Sequence, residues 1–215
     1  MSKFTEHAFQ RIAAIHAHGI DLENREVHLQ GVDDAATDDD EPGVEFIMAN
    51  RLIKNLRILE TSGDGPILIH MKTCGGYASE GFAIYSAIQA CESRVTIVNY
   101  THARSMSGVI LQAADNRVMM PPSSFMWHHG TNEVDGHTIA VRSQVRFDKH
   151  HDDLYVEILA DAMVNGPGEF KGKTKRAARD YLEGRMEKEV DVFCTASEAV
   201  KLGLADSIFT SWGDL

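Results

Sequence analysis

The chain has 215 residues, of which 43% are hydrophobic and 25% charged, a composition typical of a soluble globular protein. Its formal net charge of -11 disfavours a broad surface for nucleic acid or for anionic membranes. Its three cysteines are scattered and odd in number, which favours a reducing compartment, the cytoplasm, over a disulfide framework. The sequence contains no apolar run of about 20 residues for a membrane span, no apolar core of a signal peptide and no Cys/His cluster for a metal.

Predicted helices and strands alternate along the chain. Apolar periodicity predicts helices over residues 4–18, 44–60, 78–91, 106–114, 141–164, 173–183 and 196–202. Short apolar runs predict strands over residues 26–30, 67–71, 94–100, 118–120, 125–128 and 206–209. Strands separated by helices favour an α/β fold with a mainly parallel sheet. The absence of a long linker predicts a single domain over residues 1–215.

Three polar segments stand apart from this alternation. Residues 31–43 contain DDAATDDDE, which predicts a solvated acidic loop rather than a calcium site. Residues 131–139 predict an exposed strand or a loop. Residues 141–180 are more polar than the rest, so we expect this region to project from the core. The run HHDD at residues 150–153 disfavours a shared metal ion, because adjacent helical residues point apart.

Candidate catalytic residues lie where predicted strands end. Ser105 lies between a strand and a helix, whose free N–H groups favour a developing negative charge. Gly75 and Gly76 follow another strand, and two glycines let the backbone turn an N–H group towards a ligand. His128 ends a third strand. Because the carboxyl ends of parallel strands line one edge of a sheet, these residues could meet there.

Asp191 completes a set of residue types suited to nucleophilic catalysis. Serine, histidine and aspartate can serve as the nucleophile, its base and the carboxylate that orients the base. Simpler interpretations exist: Ser105 as a helix N-cap, the glycine pair as an ordinary turn, and Asp191 as the cap of the helix near Ala196. With 11 histidines and 32 acidic residues, many such triples arise by chance, so chain order does not decide between the interpretations.

Four segments resemble the proteolytic subunit of Clp protease, the ClpP family of serine peptidases, and indicate a divergent member. In family order and at family-like spacing they read MKTCGGYASEGFAIYSAI (71–88), ARSMSGVIL (103–111), PPSSFMWHH (121–129) and DVFCTASEAVKLGLAD (191–206). The resemblance extends from about residue 25 to residue 209. It implies the ClpP/crotonase spiral α/β fold, with a protruding handle helix within about residues 141–180.

The resemblance also implies a role for each candidate residue. It makes Ser105 the nucleophile, His128 the general base and acid, and Asp191 the orienting carboxylate. It assigns the oxyanion hole to two backbone N–H groups. These belong to Gly76 and Met106, with Gly75 setting the turn.

The function implied by the resemblance is that of an ATP-dependent-type serine endopeptidase subunit without a cofactor. Such a subunit hydrolyses peptide bonds of unfolded proteins or peptides inside an oligomeric chamber. We expect a homo-oligomer, a heptameric ring in one or two layers. The family's partner is an AAA+ unfoldase, which a hairpin before the first helix helps to engage. No such hairpin is recognisable before residue 4, so the resemblance leaves this partner open.

Four positions depart from the family pattern. Cys74 replaces a proline, Ser107 a glycine, His129 a glutamine and Val190 an arginine. His129 is thus a competitor of His128 for the role of base. Two alternative functions follow. One is a catalytically silent ring subunit with a structural or regulatory role. The other is a crotonase-like acyl-CoA enzyme, which shares the fold and the backbone oxyanion hole.

Overall fold

The computed structural model describes residues 6–31, 43–131 and 133–214. Nearly all of the predicted acidic loop at residues 31–43 lies outside these ranges, so it stays a prediction. Within the described ranges, residues 131 and 133–137 form a loop, one of the two structures predicted there. No helix in the described part of the chain has the length and apolarity needed to cross a membrane.

Helices and strands alternate in the structure. The helices are α1 (Glu6–His18), α2 (Phe46–Ser62), α3 (Ala78–Gln89), α4 (Met106–Leu111), α5 (Thr138–Asn165), α6 (Lys175–Glu189) and α7 (Ala196–Leu202). The strands are β1 (Ile20–Asp21), β2 (Glu26–Gln30), β3 (Ile67–Thr73), β4 (Val95–Arg104), β5 (Asn116–Met119), β6 (Ser124–His128), β7 (Asp191–Thr195) and β8 (Ser207–Ile208).

The strands form one mixed sheet that is mostly parallel, so the predicted fold class is confirmed. Its order is β1-β2-β3-β4-β5-β8, and β6 joins β4 to β7. All neighbours are parallel except β1 with β2 and β6 with β7. Ile67, Ile69 and Met71 of β3 are fully buried, as expected for a parallel strand at the centre of the core.

Strand β4 is longer than the sequence predicts and serves two neighbours. Its first half pairs with β5, and residues His102–Arg104 pair with β6. The predicted end at residue 100 was wrong because the apolar run stops there, although Ala103 is again fully buried. The extension brings the end of β4, and hence the start of α4, beside β6.

Strand β7 was missed by the sequence analysis, which assigned no strand to residues 191–195. Its residues alternate between exposed and buried, with Val192 and Cys194 facing inwards. This is the pattern of an edge strand with one face in water. β7 pairs antiparallel with β6, so Asp191 is the first residue of a strand and not part of a loop that leads to α7.

Helices α5 and α6 form an antiparallel pair held by ion pairs. Lys175 contacts Glu157 at 3.1 Å and Arg179 contacts Asp153 at 2.8 Å. The first half of α5 is exposed, and the buried residues of this helix begin at Tyr155. Helix α6 continues six residues past its predicted end at residue 183, because polar side chains cover most of its surface and hide its periodicity.

Candidate active site

Ser105 occupies the turn between β4 and α4 in a strained backbone conformation. Its φ of 50° and ψ of -125° are rarely adopted by a residue with a side chain, at a cost of about 1–3 kcal/mol. The Ser105 N–H donates to the carbonyl of Met126 at 3.0 Å, which fixes the turn against β6. Ser105 occupies the N-cap position, but its side chain makes no capping hydrogen bond, so its hydroxyl is free for another partner.

His128 and Asp191 face each other across the antiparallel pair of β6 and β7. The Nδ1 atom of His128 lies 2.9 Å from Asp191 Oδ1, and its Nε2 atom lies 2.9 Å from Ser105 Oγ. An ionised carboxylate can only accept, so the neutral imidazole carries its proton on Nδ1. Nε2 is then the acceptor for the serine hydroxyl. The three residues thus form one hydrogen-bonded chain.

The glycine pair approaches Ser105 and its neighbours so closely that side chains are excluded at both glycine positions. A Cβ atom at Gly75, where φ is 98°, would lie 2.7 Å from the Arg104 carbonyl oxygen and 2.8 Å from Ser105 Cβ. At Gly76, where φ is 153°, it would lie 2.3 Å from the Val44 carbonyl oxygen. Both positions therefore require glycine.

Two backbone N–H groups at this junction have no acceptor within the described residues. Val44 N donates to Gly75 O at 2.6 Å and Tyr77 N to Val44 O at 2.9 Å, so this bridge does not use the Gly76 N–H. The Met106 N–H is in the first turn of α4, where no intrahelical acceptor exists. These are the two groups expected to hold an oxyanion, and each such donor is worth roughly 3–4 kcal/mol in a transition state.

Ser107 stands where the resembled family has glycine, and it connects helix α4 to the end of strand β3. Its side chain is completely buried, and its hydroxyl donates to the carbonyl of Thr73 at 2.9 Å. Thr73 ends β3 just before the glycine pair. The substitution therefore adds a hydrogen bond between the nucleophile helix and the loop that carries the Gly76 N–H.

The remaining departures have distinct environments. His129 is exposed and lies outside the catalytic cavity, and within the described residues it is His128 that contacts Ser105. Cys74 is half-buried and lines the cavity. Val190 is exposed and has a φ of 63°, which is strained for a β-branched residue. Asp191 does not cap α7, because Thr195 fills that role in a capping box with Glu198.

A cavity of about 520 Å³ opens beside Ser105. Part of its wall is apolar or aromatic, formed by Tyr77, Phe82, Met106 and Met126. Helix α5 forms another part of the wall and contributes Asp148, His151, Asp152 and Tyr155. Sequence reasoning did not connect α5 with the site, because no local pattern reveals which part of a long polar helix faces a cavity.

Two other candidates are a cysteine nucleophile and a metal site, and the structure favours neither Cys91 nor Cys194 as a nucleophile. Burial raises the pKa of Cys91 to about 11 and that of Cys194 to about 12, so both thiols stay protonated at neutral pH. No group of three or more His, Cys, Asp or Glu side chains suited to a metal occurs among the described residues. The hydroxyl of Ser105, 2.9 Å from His128 Nε2, is the candidate nucleophile in this cavity.

Comparison with known sequences identifies the family. The sequence profile of the Clp protease family matches residues 41–212, most of the chain, so the chain belongs to the Clp protease family. It is similar to the ATP-dependent Clp protease proteolytic subunit 2 of Pseudomonas aeruginosa, with 27% identity over 171 residues, which cover 79% of this chain and 78% of the relative. The ATP-dependent Clp protease proteolytic subunit of Deinococcus radiodurans is 28% identical over 168 residues, covering 77% of this chain and 76% of the relative. The predicted family and its divergence are confirmed.

Proposed function

We propose that the protein is a serine endopeptidase subunit of an oligomeric, ATP-dependent-type Clp protease. The observation that carries the proposal is the hydrogen-bonded chain from Ser105 Oγ through His128 to Asp191, with 2.9 Å at each step. Two unused N–H groups lie at the same junction, and a cavity lies in front of it. Membership of the Clp protease family supports the same reaction.

In the first half of the proposed reaction, Ser105 attacks the carbonyl carbon of a peptide bond. His128 Nε2 accepts the hydroxyl proton as the new bond forms, and Asp191 stabilises the imidazolium through Nδ1. The N–H groups of Gly76 and Met106 hold the negative oxygen of the tetrahedral intermediate. His128 then gives the proton to the departing amine, which leaves an acyl-enzyme on Ser105.

Water completes the second half by the same route. His128 removes a proton from a water molecule that attacks the ester carbonyl, and it returns the proton to Ser105 Oγ as the ester bond breaks. A protonated His128 cannot accept a proton at either stage. The peptidase rate therefore falls on acidification.

The proposal includes self-assembly into a ring, as the family resemblance implies. Large apolar side chains are exposed on α2 and α5, among them Phe46 at 67% and Ile139 at 69%. Exposed apolar side chains of this size favour burial against other subunits. We expect a heptameric ring, in one or two layers, with the active sites facing a chamber. Unfolded proteins and peptides are the substrates, and the resemblance leaves open whether an AAA+ unfoldase delivers folded ones.

The experiment that tests this function combines native mass spectrometry with hydrolysis of a fluorogenic peptide and of unfolded casein. We expect a ring-sized assembly that cleaves both substrates, and a Ser105→Ala variant that assembles equally and cleaves neither. Full peptidase activity in Ser105→Ala would overturn the proposal. An assembled but inactive wild-type protein would favour a silent ring subunit, and turnover of an acyl-CoA instead of peptides would favour a crotonase-like enzyme.

A further inference from the structure

Helix α5 presents one face to the catalytic cavity. Asp148 is three and four residues before His151 and Asp152, and Tyr155 is four and three residues after them, so the four share a side of the helix. All four line the cavity that contains Ser105. Two of the four are carboxylates. No Lys or Arg side chain lines this cavity within the described residues, so its fixed charge on this side is negative.

The cations near this face are bound to other carboxylates. Lys149 contacts Asp153 at 3.0 Å, and Arg179 contacts the same Asp153 at 2.8 Å. Arg179 is held further by Glu183 at 2.9 Å. These pairs lie in the groove between α5 and α6, which Asp148 and Asp152 also border.

Asp148 and Asp152 lack such a partner. In the parts of the chain that the structure describes, neither forms an ion pair with a Lys or Arg side chain, and Asp148 accepts only the amide of Gln144 at 2.8 Å. Asp152 lies beside the backbone after the catalytic histidine, because a Cβ atom at Gly130 would be 3.9 Å from Asp152 Oδ1. Two half-buried carboxylates thus line the cavity, and neither is in an ion pair with a Lys or Arg side chain of the described residues.

The wall around the carboxylates is apolar. His151 is held between two rings, at 5.3 Å from Phe82 and 4.5 Å from Phe147 between ring centroids. Tyr155 is 7% exposed, and its hydroxyl is buried close to the backbone of His128. An apolar wall that ends in carboxylates matches a long basic side chain, whose methylene stem prefers apolar contact and whose head carries the positive charge.

We propose that Asp148 and Asp152 make the peptidase selective for Lys or Arg next to the scissile bond. This inference rests on the proposed peptidase function, and it names the substrate class of the same site. The two carboxylates supply the missing counter-charge for the basic head, while the rings and methionines of the cavity contact the stem. A glutamate at the same substrate position would meet like charge and be disfavoured.

The test uses three fluorogenic peptides that differ only at one residue flanking the scissile bond, which is Lys, norleucine or Glu. The series is made for each side of the bond and assayed at pH 8 with the assembled protein. We expect kcat/KM for the Lys peptide to exceed that for norleucine by about fivefold on one side of the bond, and Glu to be the poorest substrate. Raising the salt concentration should reduce the preference, because salt screens the attraction.

Three variants identify the origin of the preference. Asp152→Asn and Asp148→Asn keep the side-chain shape and should bring the Lys-to-norleucine ratio towards one. Asp180→Asn removes the same charge from the exposed face of α6 and should leave the ratio as in the wild type. Equal cleavage of the Lys and norleucine peptides on both sides of the bond, or a preference that persists in both cavity variants, would overturn the inference.

A second readout separates this inference from the proposed function. Fluorescence anisotropy measures binding of the same peptides, uncleaved, to Ser105→Ala, and we expect the Lys peptide to bind more tightly than norleucine. Cleavage without a charge preference would remove the selectivity and leave the peptidase function intact. If no peptide is cleaved or bound, both the selectivity and the proposed peptidase function are wrong.

Discussion

His128 and Asp191 are direct cross-strand partners on β6 and β7, and their side chains meet at 2.9 Å between Nδ1 and Oδ1. Sheet register, rather than a flexible loop, holds the carboxylate against the imidazole. Residues opposite each other in an antiparallel pair have Cβ atoms about 4.5–5.5 Å apart, so little side-chain freedom has to be lost. The site is therefore organised before a substrate binds.

Replacing the carboxylate at this position should impair catalysis without disturbing the fold. In Asp191→Asn the amide can donate to Nδ1, which favours the tautomer with the proton on Nε2, the wrong atom for a base. We expect kcat to fall by about a hundredfold or more, with little change in KM. Steady-state kinetics and thermal unfolding of the same sample measure the two effects.

The double variant Ser105→Ala/Asp191→Asn provides the control, because the effects on kcat of substituting residues that act together do not add. It should be no slower than Ser105→Ala alone. An Asp191→Asn enzyme with wild-type kcat would show that the hydrogen bond to His128 is not used in catalysis.

Gly76→Ala should remove activity by moving the backbone that carries one oxyanion donor. The added Cβ atom would lie 2.3 Å from the Val44 carbonyl oxygen, so the bridge to Val44 has to open. We expect a loss of roughly a hundredfold or more in kcat, because one donor is displaced. Gly184→Ala is the matched control, since nothing lies within 4 Å of its Cβ position in α6. It should gain about 0.5–1 kcal/mol in unfolding free energy and keep full activity.

Ser107→Ala should weaken the connection between α4 and the end of β3. The substitution leaves the buried Thr73 carbonyl without the hydroxyl that donates to it at 2.9 Å. We expect the free energy of unfolding to fall by about 1–2 kcal/mol in urea titrations. Ser86→Ala removes a hydroxyl from the exposed side of α3 and should change stability by less than about 0.5 kcal/mol. Equal stability of the two variants would contradict the structural role of Ser107.

Stability should also depend on pH through His28, outside the catalytic site. Burial, with a further contribution from His70 stacked at 4.6 Å, lowers the pKa of His28 below its ordinary value of 6.5. Between the folded and unfolded pKa the unfolded chain binds more protons, so this stability is complete above about pH 6.5 and is lost as the pH falls below it.

Urea unfolding at pH 7.5 and pH 5.5 measures this loss. His28→Phe keeps a stacking ring without the titrating group and should show a smaller decrease than the wild type. His150→Gln, at an exposed position on α5, should behave like the wild type. If the free energy of unfolding of His28→Phe depends on pH as strongly as that of the wild type, His28 is not the source of the loss.

The sequence could predict the parts of the site that follow from local chain chemistry. Ser105 and the glycine pair come directly after apolar strands, and the fold class follows from alternating helices and buried runs. Parallel strands place their carboxyl ends together, which is why Gly75, Ser105 and His128 were expected at one edge. The structure has Gly75 in direct contact with the Ser105 turn.

The sequence could not predict the parts that depend on register and tertiary packing. β7 was missed because its short alternating pattern begins with a charged residue and leads directly into α7. Chain order made Asp191 one candidate partner of His128 among many acidic residues, and the family resemblance decided between them. The α5 wall was missed for a different reason. The positions of Asp148 and Asp152 relative to Ser105 depend on how α5 crosses the cavity, and helical periodicity carries no information about that crossing.

Covalent labelling of the native assembly tests the central claim most directly. A fluorophosphonate reacts with a serine only when a base activates it and N–H donors hold the oxygen on phosphorus. Intact-mass and peptide-mapping mass spectrometry should find one adduct per chain, on Ser105, and none in Ser105→Ala or His128→Ala. An adduct on another serine, or no adduct on a protein that cleaves peptides, would contradict the assignment of Ser105 as the activated nucleophile.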